Sequence, residues 1–235
     1  MKKILYSLIA LSFLAFSARN ATAQNRYIGA RFGVNLANQA FEDSPPGISN
    51  SIRTGILAGL QVERIFSGTW SLMSQVLYDE KGVDESINRS GSEFGNPVTQ
   101  IGTANLIFHC FEIPVLLKAS FGSGGVRPYL FAGPSIGLFL SGREEDHYTV
   151  TIPGTPVRVD TTTSDPNSYV KSLDISAVFG AGISVHLISG QILFVDASYA
   201  LGLSNVAVIF GSSVHSRDIR LAAGILFPLD LPHLF

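Results

Sequence analysis

The amino-acid sequence predicts an all-β chain closed into an eight-stranded antiparallel up-and-down transmembrane barrel, and three observations predict it. Side chains alternate with period 2 in eight separate runs. The links between those runs are alternately long and short. The face opposite the apolar one carries mostly glycine, serine and alanine with isolated charges. No stretch after residue 23 is long and apolar enough for a membrane helix, so a chain with this much apolar surface crosses a bilayer only as a closed barrel, where neighbouring strands satisfy every backbone group.

The first run, Tyr27 to Ala37, sets Ile28, Ala30, Phe32, Val34 and Leu36 against Gly29, Arg31, Gly33 and Asn35. Thr54 to Glu63 repeats the scheme, with Ile56, Ala58, Leu60 and Val62 opposed to Gly55, Gly59, Gln61 and Glu63. Trp70 to Lys81 is less regular but puts Gln75, Asp79 and Lys81 on one face. In Leu106 to Phe121, Phe111, Ile113, Val115 and Leu117 alternate with Glu112, Pro114, Leu116 and Lys118. The fifth run, Arg127 to Leu140, is rich in glycine and aromatics. Leu173 to Leu187 is the cleanest, interleaving its apolar residues with Asp174, Ser176, Val178, Gly180, Gly182, Ser184 and His186. Gln191 to Leu203 carries Asp196 and Ser198, and Ser216 to Phe227 opposes Ile219, Leu221, Ala223, Ile225 and Phe227 to Asp218, Arg220, Ala222 and Gly224.

Short turns are expected at residues 65–68, 122–125 and 189–190, and long polar links at about 38–53, 82–104, 142–169 and 204–215. Strict alternation places every long link at one end, the pattern of short periplasmic turns and long extracellular loops. The aromatics Tyr27, Trp70, Tyr129, Tyr199, Phe210, Phe227 and Phe235 lie near strand ends, where interfacial girdles form.

The N-terminus has the layout of a secretory signal: basic Lys2 and Lys3, an apolar stretch from Ile4 to Phe16, and Ala21-Thr22-Ala23 before the cleavage point between Ala23 and Gln24. Residues 1–23 are thus read as signal peptide and 24–235 as one barrel domain. Cleavage removes three basic residues of 16 and none of the 18 acids, leaving a net charge of −5, so nucleic acid is not an expected partner. One cysteine, Cys110, makes no intramolecular disulfide. The charged fraction is 14%; a soluble barrel would turn its apolar face inward and coat the outside with charge, which this composition does not supply. The location expected is therefore the bacterial outer membrane, with membrane lipid as the first partner.

An eight-stranded lumen is only wide enough for side chains to fill, and charges there are costly unless paired. Arg31, Lys118 and Arg220 are basic on the inward face; Glu63, Asp79, Glu112, Asp174, Asp196 and Asp218 are acidic. The expected luminal polar network comprises Arg31, Glu112, Lys118, Asp174, Asp196 and Arg220, with the two arginines linked to Glu112, Asp174 or Asp196.

Particular words then carry a resemblance: Gly33-Val34-Asn35; Tyr78 with Lys81-Gly82; residues 112–118, EIPVLLK; Arg127-Pro128-Tyr129-Leu130 with Ala132-Gly133-Pro134; Gly180-Ala181-Gly182; Tyr199 with Gly202-Leu203-Ser204-Asn205; and residues 224–227. In this order they resemble the PorT-like outer-membrane β-barrel family of Bacteroidota, a porin-family relative of the OmpA-like barrels, over about residues 27–227. The resemblance implies fold and location, and an association with the type IX secretion system. Family members often carry an arginine where this chain has Ser198, and Pro-Glu where it has Ser74-Gln75. Gly224, Phe227 and Leu229 are similar to the C-terminal signal read by the barrel-assembly machinery.

The chemistry-bearing patterns are sparse. Glu144-Glu145-Asp146-His147 is read as a solvated acidic loop rather than a metal site. Residues 122–125 are a turn, since no Lys-Ser/Thr and no helix follows. Histidines 109, 186, 215 and 233 are scattered, and His109 and His186, on strands, are read as packing or girdle residues rather than general bases; there is no Gly-x-Ser-x-Gly elbow and no convincing Ser, His and acid grouping. No catalytic, cofactor-binding or metal-ligating residue is assigned. The role expected is non-enzymatic, structural or interactive: envelope integrity, adhesion or secretion, with protein partners met through the long loops. A narrow channel for small solutes is the alternative, and a lipid-modifying enzyme the second alternative.

Overall fold

The computed structural model describes residues 26–41, 47–93, 96–152, 155–163, 173–205 and 214–229. Within them run ten strands: β1 (Arg26–Phe41), β2 (Ile48–Ser51), β3 (Arg53–Ile65), β4 (Trp70–Glu93), β5 (Asn96–Ser120), β6 (Val126–Ile152), β7 (Thr155–Thr163), β8 (Leu173–His186), β9 (Ile192–Gly202) and β10 (Val214–Pro228). Eight of them pair antiparallel in the ring β1-β3-β4-β5-β6-β8-β9-β10, and β10 returns to β1 from Tyr27↔Pro228 to Phe41↔Val214. The barrel is closed, and each of the eight predicted runs lies within or along one ring strand. The signal segment 1–23, with the Ala23–Gln24 junction, and Phe210 and Phe235 fall outside the described residues.

Closure settles which way the two faces look. Phe32 is 66% exposed and Leu130 54%, whereas the adjacent Arg31 and Phe131 are 3% and 4% exposed. Apolar side chains cover the outside and the polar face is sealed within, the reverse of a soluble barrel.

The interior is not wholly polar, however. Next to the short turns, Met73, Leu116, Tyr129, Phe131, Ile192, Phe194 and Leu226 form an apolar cluster inside the ring. Tyr129, read from sequence as a girdle residue, belongs to that cluster, and Tyr27 packs against it. Trp70, Phe227, Phe66 and Phe121 are exposed beside the short turns and do occupy the rim. The enclosed rings fit because glycine faces them across the ladders: Phe131↔Gly180, Tyr129↔Gly182 and Gly224↔Phe194. A Cβ on Gly182 would lie 2.5 Å from Tyr129 Cζ, and one on Gly224 2.5 Å from Phe194 Cζ.

Two of the long links are more ordered than their composition suggests. β4 and β5 continue past the barrel to Glu93↔Asn96, and β6 continues to Ile152, where β7 turns back along it. β2 pairs with β4 at the other side, so a five-stranded sheet stands beyond the barrel mouth. Parts of 82–104 and 142–169, expected as loops, are therefore strands. Val83 and Ile87 are buried there, but Glu85 and Arg89 share their face and Asp84, Ser86 and Asn88 fill the other, so the ladder forms without the polarity contrast that marks a membrane strand. One irregularity interrupts these ladders: Cys110 pairs with Phe139 but His109 with Ser141, leaving Leu140 as an extra residue in β6.

Gly182→Ala is expected to destabilise the barrel by about 1–3 kcal/mol through overpacking against Tyr129. Gly125→Ala, where a Cβ meets only the His186 carbonyl at 3.7 Å, should leave stability unchanged. Urea unfolding in detergent micelles, followed by loss of heat-modifiable gel migration, measures both.

Candidate functional site

Ten charged side chains are buried among the described residues: Arg31, Lys81, Lys118 and Arg220 against Glu63, Asp79, Glu112, Asp174, Asp196 and Asp218. All lie on the inward faces, and they divide into two groups along the barrel axis.

The group nearer the long-loop end centres on Lys81 of β4 and Arg220 of β10. Lys81 Nζ touches Glu112 Oε1, and lies 2.9 Å from Asp218 Oδ2 and 3.5 Å from Asp174 Oδ2. Arg220 Nη2 lies 2.8 Å from both Asp79 Oδ2 and Glu112 Oε2, and 3.4 Å from Asp218 Oδ2. Asn35 Nδ2 donates to Asp79 Oδ1 at 2.8 Å, and Ser204 Oγ donates to Asp174 Oδ1 at 2.8 Å. β10 and β5 stand on opposite sides of the ring, so the Arg220–Glu112 pair crosses the lumen.

The second group lies toward the short turns. Arg31 Nη2 is 2.7 Å from Asp196 Oδ1, and its Nη1 donates to Gln61 Oε1 at 3.0 Å. Tyr129 Oη donates to Asp196 Oδ2 at 2.9 Å. Lys118 Nζ lies 3.0 Å from Glu63, whose carboxylate also accepts from Ser71 Oγ at 2.7 Å, and 4.2 Å above the Tyr129 ring. Charge pairing and cation–π contact together compensate the loss of water.

Of the residues singled out in sequence, Arg31 meets Asp196, and Arg220 meets Glu112 but not Asp174. Asp174 instead approaches Lys81, and Lys118 binds Glu63. Lys81 is the hub and is absent from the expected network, although alternation puts it on the inward face with Asp79. Asp79, Glu112 and Asp218 carry oxygens within 4.8 Å of one another, a spacing that suits a divalent cation. Lys81 and Arg220 already supply the positive charge there.

Beyond the mouth, the acidic stretch of β6 is dispersed: Glu145 pairs with Arg143 at 2.6 Å, and His147 Nδ1 lies 2.9 Å from Asp160 Oδ1. Hydrogen bonds from His147 and Arg158 hold the Asp160 carboxyl below its usual range. Burial, with Glu144 and Asp146 nearby, pushes the Glu85 carboxyl up. Ser198 lies opposite Arg220 in the β9–β10 ladder.

The sequence matches the family described as Outer membrane protein beta-barrel domain over residues 22–208. Among solved structures, OprG of Pseudomonas aeruginosa is similar at 11% identity, with 89% of this chain and 97% of that one covered and a TM-score of 0.50. Neisserial surface protein A is 14% identical, with 90% and 100% covered and a TM-score of 0.47. Ail, the attachment invasion locus protein of Yersinia pestis, is 13% identical, with 87% and 99% covered and a TM-score of 0.40. At these identities the likeness is one of fold. No curated protein matches.

Arg220→Ala strands Asp79 and Glu112 and is expected to cost about 3–5 kcal/mol. Arg220→Met combined with Asp79→Asn and Glu112→Gln should cost less than the single change, because no unpaired arginine-binding carboxylate remains. Equilibrium unfolding of the refolded protein in micelles compares the two.

Proposed function

The chain belongs to the outer membrane protein beta-barrel domain family, and from that premise we propose that it acts as a structural or interaction protein of the outer membrane, through the sheet beyond the barrel mouth and not by conduction. The observation that carries this reading is the pair of luminal charge groups. Arg220 and Lys81 reach across the ring to carboxylates on other strands, and the apolar cluster fills the short-turn end. Charged and apolar side chains that meet inside the ring support a barrel filled by its own residues rather than an open channel.

What remains for recognition is the five-stranded extension, with β2 and β7 as its flanking strands. Its mixed surface carries Arg89, Arg143 and Arg158 among acids, a composition suited to protein partners. Adhesion, envelope integrity and association with a secretion machine all use such a platform. The PorT-like assignment within Bacteroidota, with its link to type IX secretion, belongs to this proposal and rests on the strand words quoted above. Export by a cleaved signal and insertion by the barrel-assembly machinery complete it.

Reconstituted in planar bilayers, the protein is expected to give no unitary conductance steps; stable open-channel currents would establish the channel reading instead. N-terminal sequencing of protein recovered from outer membranes is expected to begin at Gln24, and an intact Met1 would refute the cleaved signal.

A further inference from the structure

We propose that the outer wall of the barrel carries an ester-hydrolysing site in which Ser141 is the nucleophile, His109 the general base, and Tyr78 and Glu80 its positioning residues. Three adjacent strands place these groups in line. Glu80 of β4 stands directly across from His109 of β5, and His109 directly across from Ser141 of β6. Directly opposed residues have Cβ atoms about 4.5–5.5 Å apart, within reach of side-chain rotation.

The acid and base are already joined. Tyr78 Oη lies 2.7 Å from His109 Nδ1 and donates to Glu80 Oε1 at 3.2 Å. Glu80 Oε1 is itself 3.6 Å from His109 Nδ1, and Glu80 Oε2 accepts from the Ile56 amide at 3.3 Å. The proposal requires the tautomer that carries the ring proton on Nδ1, facing Tyr78 Oη and Glu80, and leaves Nε2 as the acceptor. The Tyr78 and His109 rings are stacked at 18° with centroids 5.9 Å apart, and Phe111 meets Tyr78 edge-on. Acid, imidazole and hydroxyl thus follow in the order that nucleophile activation requires.

The bulge brings the serine into line. Phe139 faces the lumen and Leu140 the outside, so regular alternation would turn Ser141 inward; the extra residue turns it outward, and Leu140 and Ser141 are both exposed. Re-aiming a side chain beside a reactive site is a recurrent use of bulges.

Position on the wall identifies the substrate class. Glu80 lies ten residues along β4 from Trp70 at the short-turn rim. At about 3.3 Å per residue and roughly 40° of tilt, that is a rise of about 25 Å, the height of the apolar band of an outer-membrane barrel. The cluster therefore sits where hydrocarbon gives way to head groups, with Ile56, Phe111 and Leu140 exposed around it. An acyl ester of a membrane amphiphile presents its carbonyl at that depth with its chain along the wall. Ser141 Oγ attacks the carbonyl carbon while His109 Nε2 takes the hydroxyl proton. Collapse of the adduct breaks the ester C–O bond, and the leaving alcohol takes that proton. Water then cleaves the acyl-serine by the same route, releasing a carboxylic acid and restoring Ser141.

The site stands apart from the interaction role proposed above, and its failure would leave that role untouched. Full-length protein refolded in micelles is treated with an alkyl fluorophosphonate and, separately, with p-nitrophenyl decanoate. A fluorophosphonate adduct on the peptide containing Ser141 is expected, and Ser141→Ala should abolish both adduct and turnover while heat-modifiable migration persists. His109→Asn is expected to lower turnover by about 10²–10⁴-fold. Tyr78→Phe, which keeps the ring and loses the hydroxyl, should reduce kcat with KM unchanged and displace the pH–rate profile. Folded wild-type protein that takes no adduct at Ser141, or hydrolyses the ester no faster than Ser141→Ala, would overturn the proposal.

Discussion

Inside a lumen too narrow for bulk water, a charge has to be met by another side chain, and in this barrel the partner usually comes from a different part of the ring. Arg220 on β10 answers carboxylates on β4 and β5, and Lys81 on β4 answers carboxylates on β5, β8 and β10. These contacts act as internal struts. Hydrogen bonds around the wall hold neighbours together, but only contacts across the interior resist flattening of the cylinder. Removing either cation would set like-charged carboxylates against one another with little solvent to screen them.

The lower part of the interior solves its packing problem differently. Large rings from β6 and β9 lie over glycines on β8 and β10, so each aromatic takes the room that a neighbour's missing side chain leaves. Tyr129 joins the two regimes: its ring lies under the Lys118 ammonium and its hydroxyl binds Asp196. Apolar packing and ionic bracing are thereby continuous along the axis, which leaves the outer surface free to be greasy.

Much of this was legible from residue order, because a period of two with one apolar face is a strong signal when the strand is embedded. The strand positions and the inward turn of Arg31, Glu112 and Asp196 follow from it directly. The choice of ionic partners does not, since it depends on the stagger between strands far apart in sequence; hence alternation turns Lys81 inward without naming its three partners. Tyr129 lies near a strand end, where girdles form, yet Gly182 opposite it leaves room within, and the half-buried Tyr27 packs against the same cluster. The strand extensions read as loops in sequence because polar and charged residues fall on both their faces. The alignment of Glu80, His109 and Ser141 was hidden for another reason: it needs two registers and a bulge, none of which leaves a mark in linear spacing.

The seam between β1 and β10 joins the beginning of the described chain to its end, through a ladder running from Tyr27↔Pro228 to Phe41↔Val214. A cylinder zipped between these two staves cannot be completed before β10 has been made. Until β10 is in place, the free edges of β1 and β9 present unpaired backbone groups to any passing strand.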